Sequence, residues 1–162
     1  MTLIELMIVI SVIGVMASIA VPNMLDFVRA SRLASQSDSL VNTLASARIR
    51  AITERRAIKV CASADPNAAT PTCSTTAADW SKGWLVMDGA TAVSRFVANK
   101  FVTVAAATGS TAVTEVNFGA TLGNSTAAVV FNLCSEGRRQ QHVDVVLSGR
   151  ASKRINASAI CS

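Results

Sequence analysis

The sequence predicts an α+β fold, in which one long N-terminal helix packs on an antiparallel β-sheet head. Three observations carry that expectation. The chain opens with an uncharged apolar run, which then gives way to apolar residues at helical spacing. After Arg56 the periodicity changes to short alternating, β-branched segments. The charged fraction is only 15%, and residues 1 to 28 carry just Glu5 and Asp26, so the apolar excess is concentrated at the N-terminus.

The helix divides by its pattern. From Leu6 to Val21 sixteen residues pass without a charge, and with Thr2, Leu3 and Ile4 the run approaches the ~20 needed to cross a bilayer. Residues 1–28 are therefore expected to form a transmembrane or filament-core helix. Pro22 removes one helical hydrogen bond and is expected to kink the rod rather than end it. Residues 29–56 continue the helix in amphipathic form. Leu33, Leu40, Leu44, Ala47 and Ala51 form one stripe, with Arg29, Arg32, Asp38, Arg48 and Arg50 mostly elsewhere. A helix of ~50 residues would extend ~75 Å.

Glu5 decides what kind of apolar segment this is. A cleaved secretory signal wants a basic residue ahead of the apolar run, and none is present. A plain membrane anchor leaves Glu5 unexplained, because a carboxylate in hydrocarbon costs several kcal/mol unless it is paired. The glutamate is thus a functional residue by position.

Residues 57–162 read as a β-rich head. Strands are expected at Ala57–Ala62, Gly83–Met87, Phe101–Ala105, Val113–Phe118, Val129–Leu133 and Val143–Leu147. Between them, Ala64–Ala78 and Ala106–Thr114 read as Ala/Thr-rich surface loops, a composition also compatible with O-glycosylation. Trp84 opens an apolar strand and belongs to the core, whereas Trp80 reads as a loop residue. With seven aromatics and no Tyr, the rest of the core must come from Val, Ile, Leu and Ala.

Cys61, Cys73, Cys134 and Cys161 contain no CxxC pair, and His142 is the only histidine, which argues against a zinc site. Disulfides in an oxidising compartment fit better. Three connectivities exist, of which Cys61–Cys73 with Cys134–Cys161 closes local loops. No nucleophile–base pair, GxSxG elbow, P-loop or GxGxxG occurs, so neither a catalytic residue nor a cofactor is expected. His142, without a visible partner, reads as structural or solvated.

The stretch TLIELMIVISVIGVMASIAVPN, with Glu5, Gly14 and Pro22, resembles the mature N-terminus of type IV pilins and pseudopilins. That resemblance implies removal of a short leader by a prepilin peptidase, N-methylation of the new terminus, and pairing of Glu5 with the Met1 amine of a neighbouring subunit. Met1 stands where most of the family carries Phe. In the head, Lys59–Ser63, Lys82–Asp88, Phe131–Cys134 and Ser148–Arg150, with Cys161 at the end, resemble the FimT, FimU and GspH branch of minor pilins and pseudopilins. In that branch the Cys134–Cys161 pairing is the one implied. The implied partners are other pilin subunits, the inner membrane before assembly and the assembly machinery. The implied location is the inner membrane, then the extracellular pilus, or the periplasm for a pseudopilin.

Net charge is +5, unevenly placed. Residues 29–59 hold seven basic and two acidic groups, and residues 138–162 hold five basic and one acidic. Arg138 and Arg139 read as a hairpin turn, with Arg150, Lys153 and Arg154 after its second strand, ~17–20 Å away. FimT-like proteins carry a C-terminal Gly-Arg-x-Arg motif associated with DNA. Here the run is Gly149-Arg150-Ala151-Ser152-Lys153-Arg154, with Ser152 at the second arginine. These five residues are the candidates for sequence-independent contact with double-stranded DNA; the competing reading is a solvated face or salt bridges to the next subunit. The function expected overall is a structural subunit of a type IV pilus, with a type II secretion pseudopilin of the GspH kind as the alternative.

Overall fold

The computed structural model describes residues 2–161, apart from the side chains of residues 17, 19–23 and 157. Met1 and the bend expected at Pro22 lie outside the described residues. The architecture is α+β. Helix α1 runs from Leu3 to Glu54, 52 residues, or ~78 Å at 1.5 Å per residue. It ends at Arg55, whose left-handed backbone (φ 52°) turns its N–H back to the Ala51 carbonyl.

Nine strands follow: β1 (Ile58–Ala62), β2 (Gly83–Asp88), β3 (Thr91–Val97), β4 (Thr103–Thr108), β5 (Thr111–Ala112), β6 (Glu115–Phe118), β7 (Val129–Cys134), β8 (Arg139–Val145) and β9 (Ala151–Ile160). They form two antiparallel sheets, ordered β3-β2-β1-β6 and β5-β4-β7-β8-β9. A short 3-10 helix, Ala77–Ser81, precedes β2.

One core serves helix and both sheets. Leu33, Leu40, Leu44, Ala47 and Ala51, the stripe read from the sequence, are all buried. They pack with Ile58, Val60 and Trp84 of the first sheet and with Val104, Phe131, Leu133 and Val143 of the second. Alternation explains the second sheet: Val129, Phe131 and Leu133 point inward while Val130, Asn132 and Cys134 are only partly covered. Trp80 departs from the sequence expectation. It is fully buried, edge-on to Phe131 at 4.9 Å, and its Nε1–H donates to the Val113 carbonyl at 2.8 Å. That carbonyl satisfies the one polar atom of the indole, so the ring can enter the core from a single 3-10 turn.

Other boundaries shift for local reasons. The strand expected at Phe101–Ala105 begins at Thr103 and runs to Thr108, through residues read as loop. The strand expected at Val143–Leu147 instead covers Arg139–Val145, because Gly149 (φ 77°) and the Gly149 N–H to Val146 carbonyl bond turn the chain beyond it. Strands β3 and β9 are not among the strands expected from the sequence; both are edge strands with little buried surface.

The N-terminal part of α1 differs sharply from the rest. Leu3, Ile4, Leu6, Met7, Ile8, Ile10, Ile13 and Met16 are exposed, as are Met24, Leu25 and Phe27. Among the described residues, no helix is long and apolar enough to cross a membrane.

Candidate functional site

The N-terminal end of α1 is closed by its own residues. Thr2 is extended (φ −89°, ψ 155°) and its Oγ1 accepts from the Glu5 N–H at 3.4 Å. The Glu5 carboxylate accepts from the Thr2 N–H at 3.3 Å in return, completing a capping box. A carboxylate there also suits the positive end of the helix dipole. Thr2-x-x-Glu5 is the sequence signature of this arrangement, and the reading of Glu5 as an assembly residue passed over it. Glu5 remains exposed, so the cap leaves the carboxylate accessible to a second chain.

The five basic residues singled out near the C-terminus do not make one surface. Arg138 leaves the β7–β8 turn and pairs with Asp26 of α1 at 2.7 Å. Lys153 pairs with Asp38, a further three turns along the helix, and Arg154 with Asp144 across β8 and β9. The Asp144 carboxylate, by accepting hydrogen bonds from Arg154, holds that guanidinium above its ordinary pKa. Arg139 and Arg150 are exposed and have no carboxylate partner among the described residues. They stand at opposite ends of the β8–β9 hairpin, ~20 Å apart at 3.3 Å per residue. The tail does run back along the sheet, as β9, but Lys153 and Arg154 stay near its start.

Seven ion pairs occupy seven of the fifteen basic and seven of the ten acidic side chains. Eight cations are left against three carboxylates, Glu5, Asp65 and Glu136, among the described residues. Three of those cations converge on one groove of about 510 Å³, lined by Arg29, Arg32, Lys100 and Phe101 with Leu25 and Glu136. Arg32 and Lys100 lie over the exposed Phe101 ring, 4.8 and 5.1 Å from its centre. The β3–β4 loop is held there because the Asn99 N–H donates to Gln36 Oε1 at 2.8 Å. Sequence reading missed this groove. Arg29 and Arg32 at i, i+3 share a helix face, but nothing in the sequence joins them to residues 100 and 101.

The remaining polar groups are structural. His142 on β8 has Nε2 within 3.1 Å of Gln140 Oε1 and 3.2 Å of Asn156 Nδ2. Its pKa is pushed down by burial first and by Arg154 next, against a smaller opposing pull from Asp144. Asp79 accepts from Lys82 and from the Ser74 hydroxyl, which hold its carboxyl below the usual range. Two disulfides, Cys61–Cys73 and Cys134–Cys161, each span 5.5 Å between Cα atoms. The second joins the end of β7 to the residue after β9, beside the groove.

A long helix laid over two small antiparallel sheets, with its first half uncovered, defines a pilin-like structural protein. Residues 36–149 match the family model described as "Type II transport protein GspH", and the chain belongs to that family. Its fold is shared by the type IV minor pilin FimU of Pseudomonas aeruginosa in two crystal forms. One aligns with a TM-score of 0.60 at 19% identity, covering 82% of this chain and 98% of that one. The other gives 0.58 at 20% identity, covering 76% and 97%. At such identities the likeness is one of fold. No curated protein gives a significant match. Membership of that family supports a pilin-like or pseudopilin-like structural role.

Proposed function

We propose that the chain is a subunit of a type IV pilus, of the minor-pilin kind, that is held in the inner membrane by the first half of α1 and then assembles through it. The observation that carries this reading is the division of one helix. One face of its second half is buried in the head, while the apolar side chains described between Leu3 and Met16 are exposed. Uncovered apolar surface of that extent calls for lipid or other helices. In this reading residues 1–28 are the membrane and filament-core segment, residues 29–56 the helical support of the head, and residues 57–162 the head. Leader removal, methylation at Met1, and travel from inner membrane to filament belong to the same proposal.

Glu5 is the proposed assembly contact, pairing with the Met1 amine of the next subunit. The capping box makes the test sharper. Glu5→Gln keeps an acceptor for the Thr2 N–H, so the helix start survives, but removes the charge. Filament assembly, followed by electron microscopy of sheared material, is expected to fail for Glu5→Gln and Glu5→Ala alike. Normal filaments from Glu5→Gln would assign Glu5 to the cap alone.

The family description favours a second reading, a type II secretion pseudopilin, in which the assembly stays periplasmic. Recovery of the chain along surface filaments or only in the cell envelope separates the two. Double-stranded DNA contact through the basic C-terminal residues is a subsidiary reading. It draws support from Arg139 and Arg150, which lack carboxylate partners among the described residues, whereas Arg138, Lys153 and Arg154 are already paired. Salt-sensitive gel shifts by the full-length chain, lost on Arg139→Ala/Arg150→Ala, are the expected result.

A further inference from the structure

The groove of Arg29, Arg32, Lys100 and Phe101 has a position as well as a charge. It lies at the pole of the head from which the apolar half of α1 leaves, formed by the β3–β4 loop and the β7–β8 turn. On the membrane-anchored reading, the sequence from Leu3 to Leu25 would cover ~33 Å as a helix, slightly more than the ~30 Å of bilayer hydrocarbon. Arg29 comes four residues later, ~6 Å further along, at the depth of lipid headgroups. Around it, apolar and cationic side chains mix as they do at a membrane interface. Phe27 is 73% exposed and Phe101 54%, beside Arg29 and Lys100.

We propose that this groove binds the phosphate of an anionic phospholipid headgroup, seating the unassembled head on the membrane. The proposal rests on the membrane-anchored reading given above. Arg29, Arg32 and Lys100 have no carboxylate partner among the described residues. Asp26, the acid nearest this pole on α1, is neutralised by Arg138, and Glu136 is the one uncommitted acid in the groove among the described residues. The Phe101 ring orients Arg32 and Lys100 and presents an apolar face to the acyl boundary. Nucleic acid fits less well, because a single exposed ring offers no succession of stacking surfaces. A second copy fits less well too, since its uncommitted carboxylates, Glu5, Asp65 and Glu136, lie on three separate elements.

The test uses the full chain in two steps. First, the chain is reconstituted in phosphatidylcholine vesicles and washed at alkaline pH; retention in the pellet is expected. Release into the supernatant would overturn the anchor reading, and this proposal with it. Second, the chain in a nonionic detergent micelle is titrated calorimetrically with short-chain phosphatidylglycerol, short-chain phosphatidylcholine, inorganic phosphate and a single-stranded oligonucleotide. Each cation close to an anionic headgroup is worth about fivefold, so phosphatidylglycerol is expected to bind at least ~10-fold tighter than phosphatidylcholine; its acyl chains beside Phe101 should also set it above inorganic phosphate and the oligonucleotide. Arg29→Gln/Arg32→Gln/Lys100→Gln should abolish that preference. Arg55→Gln/Arg56→Gln/Arg95→Gln, which removes as much charge elsewhere, should retain it. A chain that stays in the pellet but binds both lipids alike, or loses its preference equally in both triple variants, overturns the headgroup site alone. Equal binding of inorganic phosphate, or equal binding of the oligonucleotide that is lost in Arg29→Gln/Arg32→Gln/Lys100→Gln, also overturns it, by showing a general phosphate site.

Discussion

The two halves of α1 have the same backbone and opposite environments. In the second half, Leu40, Leu44 and Ala51 are 0% exposed, enclosed by both sheets. In the first, Ile4, Ile8 and Ile13 are about as apolar yet stay 59–66% exposed. Hydrophobicity alone therefore does not say where stability resides. Burial does, because only area removed from water within the chain stabilises the folded monomer. The apolar surface of the first half is left for whatever surrounds it.

Substitution at equivalent positions gives the largest expected effect. Leu44→Ala removes a fully buried side chain and leaves a cavity, so the head should lose about 2–5 kcal/mol. Ile8→Ala removes comparable apolar volume from the exposed half and should change stability by less than about 0.5 kcal/mol. Urea unfolding of the full chain in detergent, monitored by Trp fluorescence, measures both. Equal losses would break the comparison, because they would make the first half part of the cooperative unit.

The second half of the helix was legible because its apolar residues recur at 3.6-residue spacing and its charges avoid them. Strand β7 was legible for the corresponding reason at period two, and β1 and β2 as short, nearly continuous apolar runs. β3 and β9 were not. Thr91–Val97 and Ala151–Ile160 are edge strands, held by backbone bonds to β2 and β8 rather than by a buried face. Their sequences, with Arg95 in one and Lys153-Arg154 in the other, carry the charge that discourages edge pairing and little apolar alternation. Glu5 stood out as a charge in an apolar run, although its local bond to Thr2 went unread. The cationic groove was illegible, since it exists only where Asn99 bonds Gln36 and brings the β3–β4 loop to the helix.

A smaller, pH-dependent effect separates the helix from the outer face of the second sheet. His142 has a folded pKa below its ordinary ~6.5, through burial and Arg154. The unfolded chain then binds more protons as pH falls through ~6.5, so stability is full above that pH. It declines below it, levelling off only beneath the folded pKa. Urea midpoints between pH 7.5 and 5.5 should show this decline in the parent chain and a flatter profile in His142→Gln. An identical slope in the variant would move the effect to another group.

A further small effect lies at the seam between the two halves. Asp26 and Arg138 join α1 to the β7–β8 turn at 2.7 Å, but the carboxylate side chain is 53% exposed. An ion pair so accessible to water and salt is worth about 0–1 kcal/mol. Asp26→Asn should therefore cost less than ~1 kcal/mol, and the cost should shrink as ionic strength rises. The measurement is the same urea midpoint, taken at low and high salt. A salt-independent loss above ~2 kcal/mol would mean that the helix is gripped by the head as early as Asp26. The boundary between the half that stabilises the monomer and the half left for its surroundings would then move toward the N-terminus, shortening the segment available to the membrane.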